Sequence, residues 1–397
     1  MSARPPPRLA VVLSHPIQYY SPWFQWLRAR TGLPFRVFYL WDFGVAVRHD
    51  PQFRTSFRWD VDLLEGYDSE FVPNRAARPG PDHFRGFDNP QLASRLEAWR
   101  PDAVLLFGYK WLSHLRVVAW ARRRRVPLLF RGDSHLLGRP APRPPAAWLQ
   151  RTLFAQFAAF LPVGRANRDY FRAFGVPERK LFFAPHAVDH RRFDPADPAA
   201  AQAAARLRRE LEIAPERRVV LFAAKFTPAK QPGALLRAFL ELRRSDAVLV
   251  LAGGGEEEAA LQGLAAGQPQ VRFLPFANQS EMPARYRLAD LFALPSRGFY
   301  ETWGLAVNEA MHLGVPALVS ERVGCQQDLV TEGETGWVFR SGDEADLRGR
   351  LGAALDALAD PARRAALRAA VLKRISGYTY EQTTGGLEAA LEALPAR

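Results

Sequence analysis

Two carboxylates and two ammonium groups in the second half of the chain are spaced as a ligand site would space them. The run Leu294-Pro295-Ser296-Arg297-Gly298-Phe299-Tyr300-Glu301-Thr302-Trp303-Gly304-Leu305-Ala306-Val307-Asn308-Glu309-Ala310-Met311-His312-Leu313-Gly314-Val315-Pro316 reads as a strand end, a loop delivering Glu301, and a helix opened by Gly304. Glu301 then lies beyond the carboxyl end of a strand, where open α/β sheets bind ligands. The free N–H groups of Gly304, Leu305 and Ala306 face the same crevice and suit a diphosphate. Glu309, one and a half turns into the helix, reaches a second part of the same ligand. The alternative for each carboxylate is ordinary: an acidic residue at a helix N-terminus and a surface Glu. Lys225 and Lys230 occupy the loop Ala224–Pro232 that follows the strand Val219–Ala223. Only five of the 54 basic residues are lysines, so a pair in one strand-to-helix loop stands out. A compact ammonium serves a phosphate as a point charge where a planar guanidinium does not fit.

These side chains need strands and helices to hold them. In the first half, Leu9–Ser14, Phe35–Leu40, Ala103–Phe107, Leu128–Phe130, Phe160–Val163 and Leu181–Ala184 read as buried strands. Amphipathic stretches such as Gln91–Trp99 and Leu112–Arg124 lie between them, and the Pro-rich Arg139–Pro145 marks a loop. Pro185, Pro195, Pro198 and Pro215 break the pattern and place a domain junction. Val219–Ala223, Val248–Leu251, Val271–Leu274, Leu291–Leu294, Ala317–Val319 and Gly336–Phe339 then form a second series, and the tail from Asp343 is helical by pattern. Alternation of this kind predicts two doubly wound parallel sheets in series.

With this context, the 294–316 run resembles the signature of the retaining, GT-B-fold glycosyltransferases of family 4, in which two glutamates are separated by seven residues. The resemblance covers most of residues 180–340. It implies two Rossmann-like domains facing a cleft: an acceptor-side domain over 1–190, a nucleotide-sugar donor domain over 191–375, and a C-terminal helix within 376–397 packing back on the first domain. It also implies roles. Glu301 contacts the transferred sugar, Glu309 binds the ribose hydroxyls, and Lys225 and Lys230 match a basic pair that neutralises the leaving diphosphate. Phe273-Leu274-Pro275-Phe276, followed by Glu281 to Asp290, is similar to the segment whose backbone reads the nucleobase, so Pro275 and Phe276 join the donor site. Pro185-His186-Ala187-Val188-Asp189 with Phe193 resembles the family's junction motif.

The implied reaction moves a sugar from a nucleoside diphosphate to a hydroxyl of a glycan, lipid-linked or small-molecule acceptor, with retention of anomeric configuration, in glycan or glycolipid biosynthesis. It needs no metal and no cofactor, because lysines and a helix N-terminus stabilise the leaving group. In the front-face mechanism the leaving phosphate accepts the acceptor's proton, and Glu301 positions the sugar. The first half departs from the family: Ser14-His15-Pro16-Ile17-Gln18-Tyr19-Tyr20 stands where a glycine pair is usual. His15 and Gln18 are candidates for donor or acceptor contact, and a His packed on aromatics is the alternative. In Phe130-Arg131-Gly132-Asp133-Ser134-His135, the cleft candidates are Arg131, Asp133 and His135. Ala252-Gly253-Gly254-Gly255-Glu256 is either a phosphate cradle or a tight turn.

The 397 residues carry a net charge of +13, which favours anionic partners without choosing among them. No nucleic-acid motif accompanies the charge. A single cysteine, Cys325, excludes an intrachain disulfide, and a reducing, cytoplasmic setting with at most peripheral membrane contact is expected. Arg122–Arg125 after Trp120 is either a solvated helix end or a contact for anionic lipid, which would suit a lipid-linked acceptor. A nicotinamide oxidoreductase is disfavoured, because no Gly-x-Gly-x-x-Gly follows the first strand. The competing functions are a nucleotide-sugar epimerase or hydrolase of the same fold and a scaffold without catalysis.

Overall fold

The computed structural model describes residues 6–45, 48–50, 55–140, 143–298 and 301–395. Phe299 and Tyr300 of the 294–316 run, and residues 141–142 of the Pro-rich loop, lie outside them. The first domain carries β1 (Leu9–Leu13), β2 (Phe35–Tyr39), β3 (Arg48–Asp50), β4 (Thr55–Phe57), β5 (Ser69–Phe71), β6 (Ala103–Phe107), β7 (Leu128–Arg131) and β8 (Ala159–Phe160). Six of these form a parallel sheet in the order β5-β2-β1-β6-β7-β8, and β3 and β4 pair as a separate antiparallel ribbon. The second domain carries β9 (Arg218–Ala223), β10 (Ala247–Ala252), β11 (Val271–Leu274), β12 (Leu291–Leu294), β13 (Ala317–Ser320) and β14 (Gly336–Phe339). They form a second six-stranded sheet, β11-β10-β9-β12-β13-β14, again parallel throughout.

Both sheets are doubly wound, as the alternation of apolar runs and helices predicts. Ala-Val-Leu-Leu-Phe in β6 and Ala-Val-Leu-Val-Leu-Ala in β10 are buried along their whole length, because helices cover both faces. Each sheet reverses its strand order beside its first strand. In the second sheet that switch point lies between β9 and β12, where Leu291 registers with Val220 and Phe292 with Leu221. The lysine loop follows β9 and the Glu301 loop follows β12, so the switch point brings both to one crevice.

Three expectations change. Leu181–Ala184 is not a strand: it makes one bridge, Phe160 to Leu181, with Phe182 N–H on the Phe160 carbonyl at 2.9 Å. The helix Tyr380–Glu392 covers this edge instead. A Cβ on Gly386 would lie 2.1 Å from the Phe183 carbonyl oxygen, so the two backbones meet directly. The sixth strand is β5 at the opposite edge, whose Ser-Glu-Phe sequence carries no apolar run. Trp120 does not stand beside Arg122–Arg125 on the surface; it is 7% exposed, and its indole N–H reaches Glu97 Oε1 at 3.3 Å.

The helix Tyr380–Glu392 packs on the first domain, not on the second. Leu387 and Ala390 share an apolar cluster with Leu9, Val11, Trp23 and Leu27. Trp23 Nε1 donates to Thr384 Oγ1 at 3.0 Å, and Thr383 Oγ1 donates to the Pro185 carbonyl at 2.7 Å. This close seat yields a contrast between neighbouring glycines. Gly386→Ala should cost about 1–3 kcal/mol through overpacking, although Ala is favoured over Gly in a helix by about 1 kcal/mol. Gly385→Ala, whose added Cβ would meet nothing within 4 Å, should be neutral or stabilising. Urea denaturation of the two variants measures the difference.

Candidate active site

The loop after β9 turns sharply under Lys230. The Lys230 N–H bonds the Thr227 carbonyl at 2.9 Å, and Gln231 takes the left-handed conformation (φ +57°) ahead of the helix Pro232–Glu241. Arg297 N–H donates to the Ala229 carbonyl at 3.0 Å, which stitches this loop to the one after β12. Lys230 Nζ consequently forms an ion pair with Glu301 Oε2, and Ser296 Oγ donates to the same oxygen at 2.7 Å. The glycine run after β10 acts as a tight turn against this loop. A Cβ on Gly253 (φ +146°) would sit 2.1 Å from the Ala224 oxygen, and Phe226 N–H bonds the Gly254 carbonyl at 2.8 Å.

The Glu301 loop is held from the opposite side by the turn after β13. Gly324 N–H donates to the Glu301 carbonyl at 3.1 Å, and Cys325 N–H to the Trp303 carbonyl at 2.9 Å. His135 also meets the Glu301 carbonyl, with Nε2 at 3.2 Å. Its Nδ1 accepts Leu137 N–H at 3.1 Å, which makes Nε2 the protonated nitrogen of a neutral ring. Both nitrogens are engaged, so His135 clamps the backbone of Glu301. Gly304 (φ +98°) opens the helix Leu305–His312 in the left-handed region, where a Cβ would also press on Val323 at 2.9 Å.

Glu309 is 2% exposed. Tyr286 donates its hydroxyl to Oε2 at 2.7 Å, while Oε1 has no hydrogen-bond partner among the described residues. Burial pushes the carboxyl up to about 7, against the opposing pull of the Tyr286 hydrogen bond and the Arg192 charge. Across the cleft, burial and the nearby charges of Glu309 and Glu301 raise the Tyr19 hydroxyl well above its ordinary range. Asp133 accepts Thr302 Oγ1 at 2.7 Å and stands 3.6 Å from His186 Nε2. Burial opposes the charge of Asp133, but His186 and Thr302 outweigh it and hold the carboxyl below its usual value. Burial lowers His186, with Asp133 partly offsetting it.

These groups surround one cavity of about 340 Å³ between the domains. Gln18 and Asp133 line it from the first domain. Lys225, Lys230, Glu301, Glu309 and Phe276 line it from the second, as do Gly304, Leu305 and Ala306 at the helix start. The remaining candidates sit behind the wall. Arg131 is 1% exposed, with its guanidinium on the Ala184 (2.8 Å) and Pro185 (3.3 Å) carbonyls, so it braces the interdomain segment. His15 packs edge-on against Trp41 and Phe43 and bonds Ser14 Oγ at 3.0 Å, and burial lowers it to about 4. The Pro275 carbonyl accepts the buried Arg285 guanidinium. Sequence inspection missed Tyr19, Trp59, Tyr286, Thr302 and Trp303 in the lining. Tyr19 and the Thr302-Trp303 pair adjoin residues already singled out; Trp59 carried no motif.

Comparison with known proteins bears on the family and the fold. A family model of group 1 glycosyl transferases matches residues 204–372, and one of the glycosyl transferase 4-like domain matches residues 64–187. The D-inositol 3-phosphate glycosyltransferase of Nocardia farcinica is 32% identical over 337 residues, 77% of this chain and 72% of the relative. The chain belongs to the group 1 glycosyltransferases. A GDP-mannose-dependent phosphatidylinositol monomannoside mannosyltransferase of Mycolicibacterium smegmatis is 35% identical, over 52% of this chain and 54% of the relative. Among solved structures, a glycosyltransferase from Rickettsia africae aligns with a TM-score of 0.77 at 12% identity, over 99% of this chain and all of that one. Anabaena HepE in complex with UDP and glucose aligns with a TM-score of 0.71 at 18% identity, over 98% and 100%. These likenesses show the GT-B fold of the glycosyltransferase.

A buried carboxylate with one unpaired oxygen is a stability cost, and its sign follows from the raised value. Below the ordinary carboxyl value of 4.5, Glu309 is protonated in both folded and unfolded states and costs nothing. Between 4.5 and about 7 only the unfolded state releases its proton, so stability falls as pH rises, and the full penalty remains above 7. Glu309→Gln should therefore melt at or near the wild-type temperature at pH 4.5 and above it at pH 8. Thermal unfolding across that range checks the divergence.

Proposed function

We propose that this glycosyltransferase takes a sugar from a nucleoside diphosphate, retains the anomeric configuration and uses no metal ion. The observation that carries the proposal is the convergence of Lys225, Lys230, Glu301, Glu309 and the start of the helix Leu305–His312 on one cavity. In this reading the diphosphate rests on the first-turn N–H groups and the two ammonium groups, which stabilise the charge developing on the leaving phosphate. Lys230 exchanges Glu301 for phosphate when donor binds, and that frees the Glu301 carboxylate to hold the sugar hydroxyls. The unpaired Oε1 of Glu309 suits a ribose hydroxyl. The acceptor approaches from the Gln18 and Asp133 side, and its proton passes to the departing phosphate oxygen. Thr302 and His186 keep Asp133 charged, so it is suited to orient an acceptor hydroxyl.

The test uses a panel of nucleoside diphosphate sugars, with sugar transfer and nucleoside diphosphate release both followed. Glu301→Gln should lower kcat by about 10²-fold or more while nucleoside diphosphate affinity stays nearly intact. Lys230→Ala should weaken that affinity by about 1.5–3 kcal/mol, the range for a charged hydrogen bond. Activity should persist in excess chelator; loss on chelation with recovery on added magnesium or manganese would remove the metal-free leaving-group chemistry. Epimerised or hydrolysed donor as the sole product would favour the competing reactions.

The acceptor is proposed to be lipid-linked, presented at an anionic membrane. No helix of the described residues is long and apolar enough to cross a bilayer, so contact would be peripheral. The helices Leu112–Arg124 and Pro144–Phe154 contain no acidic residue and together frame a groove lined by Leu115, Arg122, Arg123 and Leu149. Trp148 and Leu149 are 68% and 64% exposed. An exposed Trp-Leu pair beside Arg122 and Arg123 fits the interface of an anionic bilayer. Co-sedimentation should favour anionic over neutral vesicles, weaken with salt, and fall in a Trp148→Ala/Leu149→Ala variant. Equal recovery on both vesicle types would point to a soluble acceptor.

A further inference from the structure

Trp59 reaches the cavity from the first domain, out of the long connection between β2 and β5, just after β4. The three residues Arg58-Trp59-Asp60 are tied across the cleft on both sides of the indole. Asn278 Nδ2 donates to the Arg58 carbonyl at 2.7 Å, and Asp60 N–H donates to Asn278 Oδ1 at 3.3 Å. Ser280 N–H donates to the Asp60 carboxylate at 3.1 Å, and Ser280 Oγ donates to the same group. A Cβ added at Gly44 would meet Trp59 Cδ1 at 3.7 Å, so one edge of the indole lies beside the Gly44 turn. That turn is in close contact with the Pro16 carbonyl in the loop after β1.

Asn278 and Ser280 flank Gln279 in the loop that follows Phe276 and Ala277, and Gln279, Phe276, Ala277 and Met282 line the same cavity as Trp59. The strap thus brings the indole to the part of the cavity lined by Phe276, Ala277, Gln279 and Met282. The charged groups that suit a diphosphate, Lys225, Lys230 and the Gly304 turn, belong to other loops of the cavity. A heteroaromatic base is the part of a nucleoside diphosphate that an indole recognises, because each presents a π face.

We propose that Trp59 is the first domain's contact with the donor nucleobase, and that the Asp60–Ser280 and Arg58–Asn278 strap sets the indole over it. This rests on the donor-site reading above and deepens it. The base then stacks against the indole and completes the strap, so occupation of the nucleoside end favours the closed cleft. The strap bonds are exposed, so they can break and re-form as the cleft opens. Asp60 and Ser280 are positioning residues, since they act on the base through Trp59.

The test is calorimetric binding of uridine, guanosine, adenosine and thymidine diphosphates, with inorganic pyrophosphate as a ligand without a base. For whichever nucleotide binds wild type best, Trp59→Ala should weaken affinity by about 5- to 150-fold, the span of base-aromatic stacking. Trp59→Phe should recover most of that loss, and pyrophosphate binding should be unchanged in both. Asp60→Ala should weaken the nucleotide in the same direction and leave pyrophosphate alone. Glu309→Gln separates the two ideas. If it weakens the nucleotide while Trp59→Ala binds like wild type, the Trp59 proposal is overturned and the donor site stands. Equal loss of pyrophosphate and nucleotide in Trp59→Ala would also overturn it, since the effect would then be on the fold of the cleft. If no nucleoside diphosphate binds wild type, the donor-site reading fails and takes this one with it.

Discussion

The backbone of residues 301–304 is fixed by contacts that arrive from both domains, and the geometry of the cleft depends on it. The turn after β13 donates two N–H groups, Gly324 to Glu301 and Cys325 to Trp303, while His135 reaches the Glu301 carbonyl from the first domain. The approach is close enough that a Cβ on Gly324 would fall 1.8 Å from the Thr302 oxygen. A carboxylate that must act on a sugar needs a defined origin, and a loop held only by its ends would not supply one. Pinning the main chain leaves the side chains of Glu301 and Thr302 free to pair with Lys230 and Asp133.

The same loop joins the two domains. Trp303 is 3% exposed and donates its indole N–H to Asn308, which in turn donates to the His186 carbonyl in the connecting segment. On the facing side, a Cβ on Gly164 would sit 2.3 Å from the Trp303 ring, so the first domain closes against it without a side chain between. Arg131 stabilises the connecting segment from below, through the Ala184 and Pro185 carbonyls. The helix Tyr380–Glu392 returns the C-terminal end of the chain to the first domain, which gives the domains a second covalent connection besides the 185–191 segment. Two connections restrict relative movement to a hinge more than one would.

Polar burial is uneven across the cleft. The terminal guanidinium nitrogens of Arg131 and both ring nitrogens of His135 bond the frame, whereas Glu309 retains, among the described residues, an unpaired oxygen at the cavity wall. Leaving a buried acceptor unsatisfied costs stability that a ligand hydroxyl can return, and binding sites are where such costs accumulate. The outer surface divides in a similar way. Glu97 pairs with Arg124 and takes the indole N–H of Trp120, while Trp148 and Leu149 stay exposed on a helix with no acidic residue.

The local sequence determined the two sheets, the loops that follow β9 and β12, and the placement of Lys225, Lys230, Glu301 and Glu309 at strand ends. Each of these follows from short-range physics: apolar runs that need cover on both faces, and a glycine where a helix must start from a left-handed turn. Most of the second domain was legible for that reason. The first domain was less so. The Ser69–Phe71 strand forms because β2 offers it a partner, not because its own residues demand a strand. Leu181–Ala184 has the composition of a strand, yet it runs as an edge segment under the C-terminal helix, an arrangement set by residues two hundred positions away. Tertiary structure alone decided which polar side chains face the cavity and which brace it. Arg131, Asp133 and His135 lie within five residues of one another, and only Asp133 lines the cavity. Trp59 reached it through hydrogen bonds to a loop more than two hundred residues distant, and contacts of that range leave no periodicity to read.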